Sequence, residues 1–107
     1  MKLSVKTLSP QQARLLMLTT PDYLLFDLRT RAEYREMHLP GAVCVSPAGL
    51  AAAVAAQQAD RSTPILLYCR IGLRSRAAAE ELTRLGYVRV YDIGGIADWP
   101  YEVAAEP

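Results

Sequence analysis

The amino-acid sequence predicts an α/β fold in three layers, a parallel sheet of five strands with helices on both faces. Three observations lead there. Apolar runs of strand length alternate with helix-forming segments along the chain, the pattern of strands joined by right-handed crossovers into a parallel sheet. Two of these runs, residues 23–28 and 65–68, are almost unbroken in apolar side chains, as in strands covered on both faces. Helix starts are marked by Ser9-Pro10, by Thr30 with Glu33 three residues on, and by Ser46-Pro47, which are capping and first-turn signals.

In chain order, Leu3 and Val5 alternate with polar neighbours and predict a short first strand. Ser9, Pro10 and Gln12 supply an N-cap, a first-turn proline and a capping-box partner. Ala13, Leu16 and Met17 then share one helix face, and Thr19-Thr20-Pro21 ends the helix. Residues 23–28 form a buried strand whose Asp27 stands near the carboxyl end, the edge where ligands bind in open α/β sheets. A short helix follows Thr30. Residues 37–41 make a turn, residues 42–45 a short strand, and the alanine-rich run 49–59 a helix. After the strand at 65–68, a helix starting at Ser75 or Arg76 places Ala78, Leu82 and Leu85 on one face. Glu80 and Arg84 form an exposed pair on it, and Gly86 is its C′ residue. Residues 88–93 are the last strand, Gly94-Gly95 a turn and residues 96–99 a helical turn, before a tail with no distinguishing feature.

With 107 residues, the chain is expected to be one domain spanning 1–107 with a single core. Lysine and arginine number 12 against 11 for aspartate and glutamate, a net charge of +1. No global field draws the chain to nucleic acid or to an anionic membrane, so neither is an expected partner. The amino terminus lacks an apolar signal region, and no apolar run is long enough to span a bilayer, so a soluble cytoplasmic protein is expected. The two cysteines, Cys44 and Cys69, are too few for a disulfide scaffold or a zinc site. No metal or organic cofactor is implied by any spacing, and a reducing compartment suits a thiol that must return to its free state.

The stretch 65–86 carries the chemistry. It is expected to run from strand through a tight loop, Cys69-Arg70-Ile71-Gly72-Leu73-Arg74-Ser75, into a helix. Such a loop points several backbone N–H groups into one concavity at the positive end of a helix, and Arg70 and Arg74 add two permanent cations. All of these favour a thiolate, and cysteines so placed titrate between roughly 3.5 and 7.5 instead of about 8.5. Cys69 is therefore the candidate nucleophile. A cysteine ending an apolar strand is also simply a small buried hydrophobe. Gly72 and two arginines nearby favour an anion cradle, because glycine allows positive φ and close backbone approach.

From Phe26 to Trp99 the chain resembles a rhodanese domain of the small one-domain sulfurtransferase type. The residues that carry the resemblance are Asp27-Leu28-Arg29 with Glu33-Tyr34, His38-Leu39-Pro40-Gly41-Ala42, the loop Cys69 to Ser75, and Gly94-Gly95 with Trp99. Four short motifs in the family's order make the match specific. The resemblance implies a rhodanese-like three-layer fold. It also implies that Cys69 takes a sulfane sulfur from a small anionic donor such as thiosulfate, becomes a persulfide, and passes the sulfur to cyanide, a thiol or a thiol protein. Two positions depart from the family: Met37 stands before His38 where glycine is usual, and Cys44 stands where a small polar residue is more common.

For such chemistry the substrate-binding residues are Arg70, Ile71, Gly72, Leu73, Arg74 and Ser75. Their backbone N–H groups stabilise charge without reorganising. Arg70 and Arg74 face the substrate, unless one of them, Arg74 before Arg70, folds inward onto a carboxylate. Ser75 either donates to the sulfur or caps the helix. Asp27 and Arg29 support the site as part of a structural ion-pair group with Glu33. His38 is expected to be a hydrogen-bonded turn residue, Trp99 a core residue, and Cys44 a packing residue or a resolving thiol for Cys69. Two other readings compete. A cysteine-dependent phosphatase or arsenate reductase also cradles an anion, but five residues separate its cysteine and arginine against four between Cys69 and Arg74. A non-enzymatic partner-binding or regulatory module is the other, and such modules often lack the cysteine that this chain has.

Overall fold

In the computed structural model, which describes residues 5–106, five parallel strands form one sheet in the order β1-β5-β4-β2-β3. They are β1 (Lys6–Thr7), β2 (Leu24–Asp27), β3 (Val43–Cys44), β4 (Ile65–Cys69) and β5 (Val90–Gly95). The helices are α1 (Pro10–Thr19), α2 (Arg31–Glu36), α3 (Leu50–Ala56) and α4 (Leu73–Arg84). The capping boxes at Ser9/Gln12 and Thr30/Glu33 both form. Ser46 caps a 3-10 turn, Pro47–Gly49, that leads into α3.

Strand β4 is the middle of the sheet, and all five of its residues are buried. Its alternation divides the core into two layers. Ile65, Leu67 and Cys69 face one layer with Leu50 and Val54 of α3 and Ala78, Ala79 and Leu82 of α4. Leu66 and Tyr68 face the other, with Ala13 of α1 and Tyr34 of α2. Burying each large aliphatic side chain contributes about 1.5–3 kcal/mol, and both faces of the central strand draw on this. This is why its sequence shows no polar alternation.

The chain leaves β2 towards β3 on one side and leaves β4 towards β5 on the other. Their carboxyl ends therefore diverge at a crevice, the place where an open parallel sheet accepts ligands.

Several expected boundaries move. Leu3 lies outside the described residues, Val5 is irregular, and the first strand is Lys6–Thr7. The alanine-rich helix stops at Ala56 because the chain turns at Gln57-Gln58, with Gln58 at φ 57°. Helix α4 starts at Leu73, before Ser75, because Gly72 adopts φ 92° and turns the chain at once. Leu85 is the C-cap and 47 % exposed, so the buried face of α4 ends at Leu82. The last strand runs Val90–Gly95, with the glycine pair inside it.

The tail is also built in. His38 and Ala104 form an antiparallel bridge, Glu106 N–H donates to the Arg35 carbonyl, and Arg14 pairs with Glu102 at 2.8 Å.

Candidate active site

Cys69 is the last residue of β4 and is 3 % exposed. Its Sγ accepts a hydrogen bond from Gly72 N–H at 2.9 Å and lies 3.5 Å from Ser75 Oγ. Burial works against a charge on this sulfur, but the Ser75 side chain and the N–H groups of Ser75, Gly72 and Arg74 outweigh it. The thiol consequently lies below its ordinary range.

The cradle depends on two glycines for different reasons. Gly72 needs positive φ to aim its N–H back at the sulfur. Gly95 pairs with Cys69 across the sheet, and a Cβ there would sit 2.8 Å from the Arg70 carbonyl carbon and 2.9 Å from Ile71 Cα. Only glycine lets β5 pass this close beneath the loop.

The sulfur opens on a cavity of about 330 Å³ lined by Arg29, Thr30, Glu33 and Cys69, and by Arg70, Ile71, Leu73 and Arg74 of the loop. The structure thus brings Arg70, Ile71, Leu73 and Arg74 to the cavity, while Gly72 and Ser75 hold the sulfur from behind. Arg70 and Arg74 are exposed, and among the described residues neither forms an ion pair. The inward-folded Arg74 is therefore not found. Ile71 and Leu73 are 70 % and 72 % exposed at the mouth.

Asp27 and Arg29 form a buried ion pair beside the cavity. The Arg29 guanidinium reaches both Asp27 oxygens at 2.8–3.2 Å and also donates to the Met37 carbonyl. Burial opposes the guanidinium charge, but the hydrogen bond and charge of Asp27 more than offset it, and the Arg29 pKa is raised. Tyr68 donates to Asp27 at 2.7 Å and accepts from Leu39 N–H, tying the turn to the sheet. Burial pushes the Tyr68 phenol well above its usual range. Asp27 itself is fully buried and does not line the cavity.

Glu33 is not part of that ion pair. Its carboxylate caps α2, accepting from Thr30 N–H and hydroxyl, and these bonds lower its pKa. His38 stacks on Tyr34 with ring centres 3.8 Å apart and holds the Tyr34 carbonyl through Nδ1, as a turn residue would. Trp99 is half-buried, packed against the α1/α2 core layer.

Cys44 and Cys69 are kept apart. Cys44 lies in register with Asp27 of β2, and β2 lies between β3 and β4. Two strand spacings amount to about 9.5 Å, wider than the roughly 7 Å between Cα atoms that a disulfide spans. A resolving role for Cys44 would require the sheet to move.

Sequence reasoning missed Asp92. This β5 carboxylate is 5 % exposed and accepts from Ser75 Oγ at 2.6 Å and from Gly94 N–H at 2.9 Å. The only sequence signal was a charged residue inside an otherwise apolar strand.

A family model for the rhodanese-like domain matches residues 9–101, and the chain belongs to that family. The thiosulfate sulfurtransferase GlpE of Tolumonas auensis is 36 % identical over 93 residues, covering 86 % of this chain and 85 % of its own. A thiosulfate sulfurtransferase structure from Pseudomonas aeruginosa superposes with a TM-score of 0.85 at 22 % identity, over 96 % of this chain and 21 % of that one. A Rhodopseudomonas palustris protein of unknown function, named as a possible tyrosine phosphatase, superposes with a TM-score of 0.76 at 26 % identity, over 89 % of this chain and 79 % of that one. The fold is rhodanese-like. Among the described residues no helix is long and apolar enough to cross a membrane.

Proposed function

We propose that this chain is a thiosulfate-type sulfurtransferase in which Cys69 carries the sulfur as a persulfide. The observation that carries the reading is the Cys69 sulfur, held at 2.9 Å by the Gly72 N–H at the base of a cavity that Arg70 and Arg74 flank. The relatives named thiosulfate sulfurtransferase support the choice of substrate.

The Cys69 thiolate attacks the outer sulfur of thiosulfate. Its electron pair forms the new sulfur–sulfur bond, and the pair of the broken bond leaves with sulfite. The persulfide's terminal sulfur keeps one negative charge, facing the same N–H groups. An acceptor anion, cyanide or a thiolate, then attacks that terminal sulfur and returns Cys69 as thiolate. Every species is an anion, so a cavity edged by two unpaired guanidiniums and lined with backbone donors serves each step. No general base is needed once the thiolate exists. Ile71 and Leu73 give the mouth an apolar rim suited to a thiol protein as acceptor.

Intact-protein mass after thiosulfate treatment without reductant tests this. A gain of about 32 Da, the mass of one sulfur, is expected on wild type and on Cys44→Ser. It should be absent from Cys69→Ser and removed by cyanide as thiocyanate. No adduct with thiosulfate or a persulfide donor would overturn the reading. The likeness to the possible tyrosine phosphatase favours a second one, and hydrolysis of an aryl phosphate that depends on Cys69 would establish it. Four residues between Cys69 and Arg74 make a tight cradle for a phosphate ester.

A further inference from the structure

The Ser75 hydroxyl has one hydrogen and three acceptors around it. Its Oγ is 2.6 Å from the Asp92 carboxylate, 3.2 Å from the Gly72 carbonyl and 3.5 Å from the Cys69 sulfur. Ser75 is fully buried and Asp92 nearly so, so no bulk water relieves the competition. An O–H to carboxylate contact of this length is in the charge-assisted range, so in the resting geometry the proton belongs to Asp92. The hydroxyl then turns a lone pair towards the thiol, and it helps the thiolate only to the extent that its hydrogen leaves Asp92 for the sulfur.

We propose that Asp92 is a positioning residue for Cys69: it competes with the sulfur for the single Ser75 proton and so limits how far that hydroxyl can stabilise the thiolate. The benefit is reactivity. A thiolate loses intrinsic nucleophilicity as its pKa falls, and charge held too firmly in the ground state is charge that does not attack. Asp92 weakens the share of the Ser75 hydroxyl and leaves more of the charge to the backbone N–H groups, among them that of Gly72 at 2.9 Å. The importance of this for turnover rests on the sulfur-transfer reading, whereas the coupling itself is a property of the thiol.

The other charged groups at the cavity are Arg70 and Arg74 on the loop and first turn of α4, and Arg29 and Glu33 across from them; Arg76 belongs to the same turn of α4 and does not line the cavity. Lys6 of β1 lies beside β5 but donates to the Val88 carbonyl. On β4, Tyr68 faces the opposite layer and is bound to Asp27. All are unchanged in the variants below and cancel in the comparison.

The experiment is a double-mutant cycle on the full chain in a Cys44→Ser background, reading Cys69 alkylation by iodoacetamide against pH. Asp92→Asn, which keeps the shape and an acceptor oxygen, should lower the Cys69 midpoint by about half to one pH unit when Ser75 is present. It should slow alkylation of the fully formed thiolate about two- to threefold. In Ser75→Ala the same substitution should move the midpoint by less than half as much. Equal shifts in both backgrounds would mean that Asp92 acts by its charge alone, and no shift in either would make it a structural residue; both overturn the proposal.

If Asp92→Asn does not fold, the infrared S–H stretch of Cys69 at low pH decides. A band shifted by donation to Ser75 Oγ, and released in Ser75→Ala, is expected; an undonated band already in the Ser75 protein overturns the proposal. Failure to load sulfur from thiosulfate with the coupling intact would count against the functional reading and not against this one.

Discussion

Two cysteines end two strands of the same sheet, β3 and β4, with β2 between them, and differ in almost everything that sets a thiol's pKa. Cys44, at the end of β3, is the more exposed, yet burial and the nearby Asp27 carboxylate raise its pKa, with Arg31 and Arg29 opposing only in part. Its Sγ meets a carbonyl, that of Arg29 at 3.8 Å. Cys69, at the end of β4, is the more buried and has its pKa lowered. Its Sγ meets an N–H. The difference lies in the backbone after each strand. Behind Cys69 the chain turns through Gly72 into α4 and presents donors. Behind Cys44 it runs through Val45 and Ser46 into a 3-10 turn, and its donors go to Ser46 Oγ and to carbonyls. The opposite pKa directions follow from what faces each sulfur, the Ser75 hydroxyl and backbone N–H groups at Cys69 and a carbonyl at Cys44, and exposure is secondary.

The largest effect that would break this contrast is the loss of one sulfur. Cys69→Ser should abolish sulfur loading and rapid alkylation, while Cys44→Ser should leave both as in wild type, read by intact mass.

Next is the cradle. Gly95→Ala must push the Arg70-Ile71 backbone away, and the Cys69 midpoint should rise towards that of Cys44. A rise of one unit means about tenfold less thiolate at a pH well below both midpoints, read as slower alkylation there. An unchanged midpoint would show that the cradle tolerates the displacement.

The Asp27 carboxylate stands on the strand between the two cysteines. Asp27→Asn leaves the Arg29 charge buried without its partner, which should cost about 3 kcal/mol and lower Tm by about 12 °C. It should also lower the Cys44 midpoint and leave that of Cys69 in place.

In wild type the pH profiles should separate. The thiolate of Cys69, with its lowered pKa, persists as pH falls below the ordinary cysteine range and is lost only through its own midpoint. The thiolate of Cys44 appears only above that range. Site-resolved alkylation from pH 5 to 10 checks both, and coincident midpoints would refute the contrast.

The smallest effects belong to the rim. Arg70→Ala and Arg74→Ala should each raise KM for thiosulfate a few-fold, with the difference from wild type shrinking as salt rises, because both guanidiniums are exposed.

Elements whose causes are local could be read from the chain. The capping boxes at Ser9 and Thr30, the unbroken apolar run into Cys69, Gly86 as a C′ residue and the motif order that marks the family were all legible, since each depends on residues within a few positions of one another. The loop at Cys69 was legible for the same reason. What needed tertiary structure was every contact between distant segments. Asp92 under Ser75, Gly95 against Arg70, Glu33 released from the Asp27–Arg29 pair and the tail bridged to His38 join residues brought together only by the sheet. The separation of Cys44 from Cys69 was likewise decided by strand order, because β2 inserts between β3 and β4, and no spacing along the chain records which strand lies beside which.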